Sequence, residues 1–137
     1  MSNKSMIALA FSVTAILLSL ANLIFIIHFH AKQDVQYVVY LGTNHKDTNE
    51  AVFTAGEAKL HADMILAKYF QGFTIQEANG GWVENSVVSH EYTLVIYLSD
   101  TNLDQVHKAC DELINKFSQS SVLIQANSTK TEFYSGK

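Results

Sequence analysis

Two glutamates are the residues of this sequence best placed for acid–base or cation chemistry. Glu77 and Glu91 fall in segments expected to form neighbouring strands of a hairpin that turns near residues 84–86. The simplest register places Glu77 opposite residue 92 of the neighbouring strand, one position from Glu91. A bulge at Gly80-Gly81 would shift the register by one residue and place the two glutamates opposite each other. Facing carboxylates repel each other, so such a pair indicates a bound cation or a shared proton. The more common alternative is two separate carboxylates that contact water or a lysine.

Further polar and aromatic residues surround these glutamates. Asn44 follows the first expected strand, and Asn79 and Trp82 flank the glycine pair of the second. Glycines there allow close approach of a backbone or ligand, although a lone tryptophan in a small sheet more often lies in the core or an interface. We therefore define a candidate ligand or partner surface consisting of Asn44, Glu77, Asn79, Trp82 and Glu91.

No residue pattern predicts a catalytic, cofactor or metal site. The histidines after residue 31 lack the HxH, HxxxH and HExxH spacings, and Cys110 is the single cysteine. His107 and Asp111 lie one helical turn apart, but zinc requires three or four ligands. Phosphate-binding glycine loops of the GxGxxG or GxxxxGK type are absent. The expectation is a protein that is not an enzyme and holds no cofactor.

Charge excludes one class of partner. Residues 32–137 carry 8 lysines against 13 acidic residues, and the sequence contains no arginine. Nucleic-acid binding requires a basic face that neutralises phosphates, so we expect no nucleic-acid partner.

The elements that position these residues follow a βαββαβ order. Alternating and β-branched runs predict strands at 35–42, 72–83, 87–99 and 121–126, with a short fifth strand at 131–134. Helices are predicted at 55–70, where Thr54 and Glu57 form a capping box, and from Asp100 or Thr101 to Phe117. This order is that of the ferredoxin-like, or split βαβ, fold, in which two helices cover one face of an antiparallel sheet. We expect an α+β domain over residues 32–137.

Several motifs of this domain resemble those of a bacterial protein family. They are YLGTN at 40–44, GFTIQEANGGW at 72–82 and HEYTLVIYL at 90–98. The family is one of small ferredoxin-like proteins, membrane-anchored or secreted, that is catalogued as a domain of unknown function. The resemblance implies this fold and a setting in the bacterial envelope, and it implies no activity and no site residues.

Residues 6–29 form an apolar run that predicts a single transmembrane helix. As a helix the run extends about 36 Å, enough to cross a hydrocarbon core of about 30 Å. We therefore expect an anchor at 1–31 in the bacterial cytoplasmic membrane, with the lipid bilayer as a partner. Lys4 and the amino terminus precede the run, which favours the amino terminus inside and the domain outside.

Small and polar residues recur along one side of this run. Because such residues allow helices to approach closely in lipid, and because Asn22 favours a partner, the pattern predicts a homo-oligomer. This transmembrane seam consists of Ser5, Ala8, Ser12, Ala15, Ser19 and Asn22.

The leading interpretation is a non-enzymatic, single-pass, membrane-anchored binding or assembly module that self-associates and takes a small ligand or a protein partner. Two alternatives stay open. The first is an oligomeric channel or membrane effector whose soluble domain senses a ligand. The second is a small enzyme or ion-binding module that uses Glu77 and Glu91.

Overall fold

The computed structural model of the protein describes residues 3–29 and 34–136. These residues divide into two compact units, of which the first contains helix α1 and the second contains every described element from Asp34 onward. The expected boundary between residues 31 and 32 lies outside the described residues. The elements are α1 (Asn3–Phe29), β1 (Asp34–Gly42), α2 (Ala55–Leu66), β2 (Thr74–Glu84), β3 (Val87–Leu98), α3 (Leu103–Phe117) and β4 (Leu123–Thr129).

The second unit has the expected α+β architecture. Its four strands form one sheet in the order β2-β3-β1-β4, and each neighbouring pair is antiparallel. With α2 and α3 as the two crossovers, this is the split βαβ arrangement. The expected fifth strand is wrong, because residues 131–134 are irregular and the described sheet ends at β4.

Capping residues set where the two helices of this unit begin. Thr54 accepts the backbone N–H of Glu57, and the Glu57 side chain accepts that of Thr54, which is the predicted capping box. These bonds to Thr54 also lower the pKa of the Glu57 carboxyl. The cap of α3 is Asn102 rather than Asp100 or Thr101, because its side chain accepts the N–H of Gln105 at 3.0 Å.

Both helices pack against one face of the sheet and form the core there. The strands contribute alternate residues to it, as expected for a sheet with one covered face. The buried residues of this cluster are Tyr37, Val39, Leu41, Leu94, Ile96 and Leu98 from the strands, and Ala58, Ala62, Ile65, Leu66, Phe70, Val106, Ala109, Cys110, Leu113 and Phe117 from the helical segments.

The other face of the sheet, which we call the open face, carries no helix of this unit. Two tyrosine hydroxyls on this face donate hydrogen bonds to glutamine side chains of neighbouring strands. Tyr40 donates to Gln125 and Tyr97 donates to Gln76, each at 3.1 Å. Val38 and Val95 on the same face are nevertheless buried. The open face is therefore mixed, with buried valines between hydrogen-bonded aromatic side chains.

The expected transmembrane helix requires a correction. Among the residues that the structure describes, no helix has both the length and the apolar character needed to cross a membrane. A spanning helix needs about 20 consecutive, predominantly apolar residues. The described side chains of α1 are interrupted by Ser12, Thr14, Ser19 and Asn22. The prediction of a single-pass transmembrane anchor is wrong on this finding, whereas the lipid bilayer as a partner and the cellular location stay predictions.

We expect Cys110 to behave as a buried apolar residue. It is 4% exposed in the core, and burial raises the pKa of its thiol to about 11. Since an unfolded thiol ionises from about pH 9, the contribution of Cys110 to stability is full below pH 9 and is lost between about pH 9 and 11. Unfolding of the wild type and Cys110→Ala across this range should show the extra loss in the wild type alone, and rapid alkylation of the native thiol at pH 8 would contradict burial.

Candidate functional site

Glu91 and Asn44, two of the predicted surface residues, meet at one end of the open face. Glu91 Oε2 accepts the backbone N–H of Asn44 at 3.1 Å. The carboxylate lies over Gly42, where an added Cβ would come within 2.5 Å of both of its oxygens. Glycine at 42 therefore provides the space in which the Glu91 carboxylate contacts the end of β1.

These two residues also hold the loop that follows β1. The Asn44 side chain donates to the backbone oxygen of Asn49 at 3.0 Å and to that of His90 at 3.4 Å. The Gln119 side chain donates to the backbone oxygen of Asn44, which joins the loop to the segment after α3. Because these bonds join β1, the following loop and β3, the Glu91–Asn44 contact positions the loop.

Glu77 and Asn79 lie on the other face of the sheet, the one that the helices cover. In the observed register Glu77 pairs with Leu94 and Asn79 with Tyr92, while Glu91 pairs with Gly80. The Gly80-Gly81 bulge is therefore absent, and successive side chains point to opposite faces. The structure does not bring the two glutamates together, which removes the geometric basis for a carboxylate pair.

Glu77 contacts α2 instead. Its carboxylate forms an exposed ion pair with Lys59 at 3.9 Å. The hydroxyl of nearby Tyr92 is buried without a hydrogen-bond partner among the described residues. Burial first, and the carboxylate of Glu77 second, raise the pKa of Tyr92.

Trp82 lies near the end of the β2–β3 hairpin, where large apolar side chains remain exposed. Its exposed fraction is 69%, and it shares no ring contact with a described aromatic residue. The exposed apolar set of this hairpin consists of Trp82, Val83, Val87 and Val88.

The residues of the predicted seam belong to α1. Ser5, Ser12, Ala15, Ser19 and Asn22 are exposed, whereas the side chain of Ala8 lies outside the described part. The residues of the seam therefore lie on one helix, and contact between helices through them stays a prediction.

A cleft of about 740 Å³ at the opposite end of the sheet was missed in the sequence. It forms where the α2–β2 and β3–α3 connections meet the first residue of β2 and the end of β3. We call it the basal cleft. Its lining residues are Gln36, Tyr69, Phe70, Gln71, Gly72, Phe73, Thr74, Tyr97, Ser99, Asp100, Thr101, Gln105 and Phe133.

The side chains of the basal cleft combine aromatic rings with neutral hydrogen-bonding groups. Five are aromatic, six are Gln, Ser or Thr, and Asp100 is the one charged residue in this described lining. Ligand sites of proteins typically have volumes of about 300–1,000 Å³ and join apolar walls to a few polar groups. The size of the cleft fits that class of site, and its lining is more polar than is typical of it.

Gln105 has a fixed orientation in the basal cleft. Its Oε1 accepts hydrogen bonds from Thr101 Oγ1 at 3.1 Å and from Asn102 Nδ2 at 3.0 Å. The side-chain oxygen of Gln105 therefore already accepts two hydrogen bonds from the protein. The two N–H groups of its side-chain amide have no hydrogen-bond partner among the described residues.

Tyr69 is also held from outside the cleft. Its hydroxyl donates to Glu112 on α3, and Lys68 forms an ion pair with the same carboxylate. The bond to Glu112 raises the pKa of Tyr69, whereas Lys68 first and Tyr69 second lower the pKa of Glu112. This three-residue contact ties the ring of Tyr69 to α3.

A local sequence signal for the basal cleft does exist. Tyr69-Phe70-Gln71-Gly72-Phe73 places three aromatic residues around a helix end, and Ser99-Asp100-Thr101 follows a strand. Each segment alone is typical of a connection. Their common position at one end of the sheet depends on the fold, which explains why sequence patterns did not identify them as one site. No group of three or more His, Cys, Asp or Glu side chains suited to a metal occurs among the described residues.

Solved structures with similar folds include a phage enzyme. A phage SAM lyase in complex with S-methyl-5'-thioadenosine is 16% identical, with a TM-score of 0.56, and the match covers 72% of this chain and 83% of that one. The apo form of a phage SAM lyase is 14% identical, with a TM-score of 0.51, and the match covers 77% and 96%. CutA from Synechococcus elongatus PCC7942 is 11% identical, with a TM-score of 0.47 and coverages of 72% and 79%. At these identities the likeness to the two phage structures shows the fold alone.

The sequence comparisons agree with the expected family. No curated protein matches the chain. A family described as "Protein of unknown function (DUF3574)" matches residues 36–133. The match covers the second unit except for a few residues at each of its ends. The prediction of a family of unknown function is thereby confirmed, whereas its membrane-anchored or secreted setting stays a prediction. The chain belongs to the DUF3574 family.

Proposed function

We propose that the α+β unit is a non-enzymatic module that binds a small, neutral ligand in the basal cleft. The ligand class has a ring with a face that stacks on an aromatic side chain and several hydroxyl groups, a chemistry that nucleosides and short oligosaccharides share. The observation that carries this proposal is the cleft of about 740 Å³ itself, which joins five aromatic side chains to six neutral hydrogen-bonding ones.

The aromatic residues supply stacking surfaces for such a ring. Tyr69 is tied to α3 through Glu112, Tyr97 is held by Gln76 at 3.1 Å, and Phe70 is 9% exposed at the core edge. Rings held in this way lose little freedom when a ligand binds, which favours affinity. Phe133 differs, since it is 83% exposed and lines the cleft from the carboxyl-terminal segment.

The polar residues supply hydrogen bonds without charge. Gln105 offers two amide donors because its oxygen is already occupied, and Ser99, Thr74 and Gln36 line the same space. Neutral groups suit a neutral ligand, because a strongly charged ligand would need a counter-charge in the cleft. Asp100 is exposed and offers one carboxylate at the rim.

The same lining supports binding without turnover. General acid–base catalysis near neutral pH depends most often on histidine, or on a carboxyl or amine with a shifted pKa. His, Lys, Cys and Glu are absent from the described lining, and the hydroxyl of Thr101 donates to Gln105 rather than to a base. A binding role therefore fits these residues better than a catalytic role.

Phe133→Ala is expected to weaken ligand binding without unfolding the protein. Stacking of a ring on an aromatic side chain contributes about 1–3 kcal/mol, so the dissociation constant should rise about 5- to 150-fold. Calorimetric titration of the full chain with S-methyl-5'-thioadenosine, and separately with cellobiose, measures this change. It also shows whether the cleft binds a nucleoside or an oligosaccharide. The nucleoside thioether is chosen because the similar phage enzyme holds it.

Tyr134→Ala is the matched control. Tyr134 is adjacent, aromatic and 75% exposed, but it is not part of the cleft lining. We expect its affinity to equal that of the wild type. Equal affinities for all three proteins, or loss of binding in the control alone, would refute the role of the cleft.

We further propose that copies of the chain self-associate through the second unit. The specific observation is the hairpin set of Trp82, Val83, Val87 and Val88, all of which are at least 55% exposed. Scattered apolar residues on a surface are ordinary, but four exposed ones around a single hairpin turn, two on each face of the hairpin, favour a contact surface there. Light scattering of the purified full chain tests the proposal, and a monomeric mass at every concentration would refute it.

A further inference from the structure

Strand β2 forms one edge of the sheet and leaves its outer side without a strand partner. It spans Thr74–Glu84, and all eleven residues pair with β3 on the inner side in an unbroken register. Among the described residues, no backbone–backbone hydrogen bond reaches the outer side. An extended row of N–H and C=O groups is therefore available there.

This edge lacks most of the features that normally prevent edge-to-edge pairing, and its only charged side chains are those of Glu77 and Glu84. Proteins protect such edges with short strands, prolines, lysines or bulges. β2 is eleven residues long and contains neither proline nor lysine, and its register shows no bulge. By comparison, the opposite edge strand β4 has seven residues and is followed by Lys130.

The sequence of β2 is complementary to itself in the antiparallel direction. Full-length pairing of two copies is centred on Asn79, which then lies opposite Asn79 of the second copy. In that register Ile75 lies opposite Val83 of the second copy, so apolar side chains meet. Glu77 lies opposite Gly81 of the second copy, so no two carboxylates face each other.

The exposed hairpin side chains extend the same surface. Trp82 and Val83 belong to β2, and Val88 is the cross-strand partner of Val83 on β3. Pairing through β2 would place Trp82 and Val83 next to the second copy, which reduces their exposure of 69% and 63%. Apolar contact and backbone hydrogen bonds would then stabilise the same interface.

We propose that two copies of this chain pair through the outer edges of β2, antiparallel and centred on Asn79, to form one continuous eight-stranded sheet. The occupant of the edge is a second copy because apolar positions of β2 meet each other in this register and no two of its carboxylates face each other. This inference rests on the self-association proposed above and is independent of ligand binding in the basal cleft.

Asn79→Cys tests the pairing directly in the full chain. Residues opposite each other in antiparallel strands have Cα atoms about 4.5–5.5 Å apart, which falls within the range that a disulfide bridges. Mild oxidation should therefore convert Asn79→Cys into a covalent dimer. Cys110 is buried and does not compete.

Asn127→Cys is the matched control, since Asn127 is an exposed asparagine on the opposite edge strand. We expect Asn79→Cys to cross-link at least ten times faster than this control. Equal rates in an oligomeric protein would overturn the β2 interface and leave self-association standing. A monomeric wild type would overturn both. Asn79→Glu and Asn79→Lys should each weaken the dimer, and mixing the two variants should restore it.

Discussion

Phe117→Ala is expected to destabilise the α+β unit by about 3–5 kcal/mol, which is a large share of the 5–15 kcal/mol typical of a domain. Phe117 is the last residue of α3 and is fully buried. Its ring meets the ring of Phe53 edge-on, with 5.4 Å between the centroids. Truncation leaves a cavity among α2, α3 and the sheet that small shifts cannot fill. Chemical denaturation followed by near-ultraviolet circular dichroism measures the loss.

Phe133→Ala provides the control for this substitution. The same chemical change is made at a side chain that is 83% exposed, so the free energy of unfolding should change by less than about 0.5 kcal/mol. A loss below about 1 kcal/mol for Phe117→Ala, or equal losses for the two variants, would contradict the assigned core.

Gly42→Ala is expected to destabilise the protein by about 1–3 kcal/mol. The added Cβ would lie 2.5 Å from the Glu91 carboxylate oxygens, so the side chain must move and lose its bond to the Asn44 N–H. Hydrogen bonds to charged groups contribute about 1.5–3 kcal/mol. Thermal unfolding of Gly42→Ala and of Gly72→Ala, where no atom lies within 4 Å of the added Cβ, compares the two sites.

A double-mutant cycle identifies the cause of this loss. In the Glu91→Ala background the carboxylate is gone, so Gly42→Ala should cost less than about 0.5 kcal/mol. If the cost is unchanged in that background, then the glycine matters for a reason other than Glu91, and the structural role assigned to the Glu91–Asn44 contact is wrong.

Local patterns in the sequence predicted most of the α+β unit. β-Branched runs gave the strands, and the capping box at Thr54 and Glu57 marked the start of α2. Boundaries were less accurate. α2 ends at Leu66 rather than at residue 70. α3 is capped by Asn102 rather than by Asp100 or Thr101, and each of these neighbouring polar residues is of a type that caps helices.

The candidate site was harder to predict because it depends on strand register. A shift of a single residue moves a side chain to the other face of a sheet. The turn of the β2–β3 hairpin lies at Asn85 and Ser86, both with positive φ, which pairs Glu77 with Leu94 and sets it on the opposite face from Glu91. The grouping of Asn44 with Glu91 was correct in space, although their bonds serve the protein's own loop.

The basal cleft was missed for a different reason. Its residues come from segments as distant as Gln36 and Phe133, and no single stretch has the spacing of a known motif. The apolar run of α1 is the opposite case, in which a local sequence pattern predicted a feature that the structure does not bear out. Composition alone predicted a transmembrane anchor, and the described part of that helix is not apolar enough over the length required.

Amide NMR of the full chain, titrated with S-methyl-5'-thioadenosine and separately with cellobiose, tests the central claim most directly. Binding in the basal cleft predicts that one of these probes shifts the amide signals of Gly72, Phe73, Ser99 and Thr101, which line it. Signals of Asn44 and Glu91, at the other end of the sheet, should stay unchanged. Shifts confined to Asn44 and Glu91, or no shift with either probe at millimolar concentration, would contradict the account.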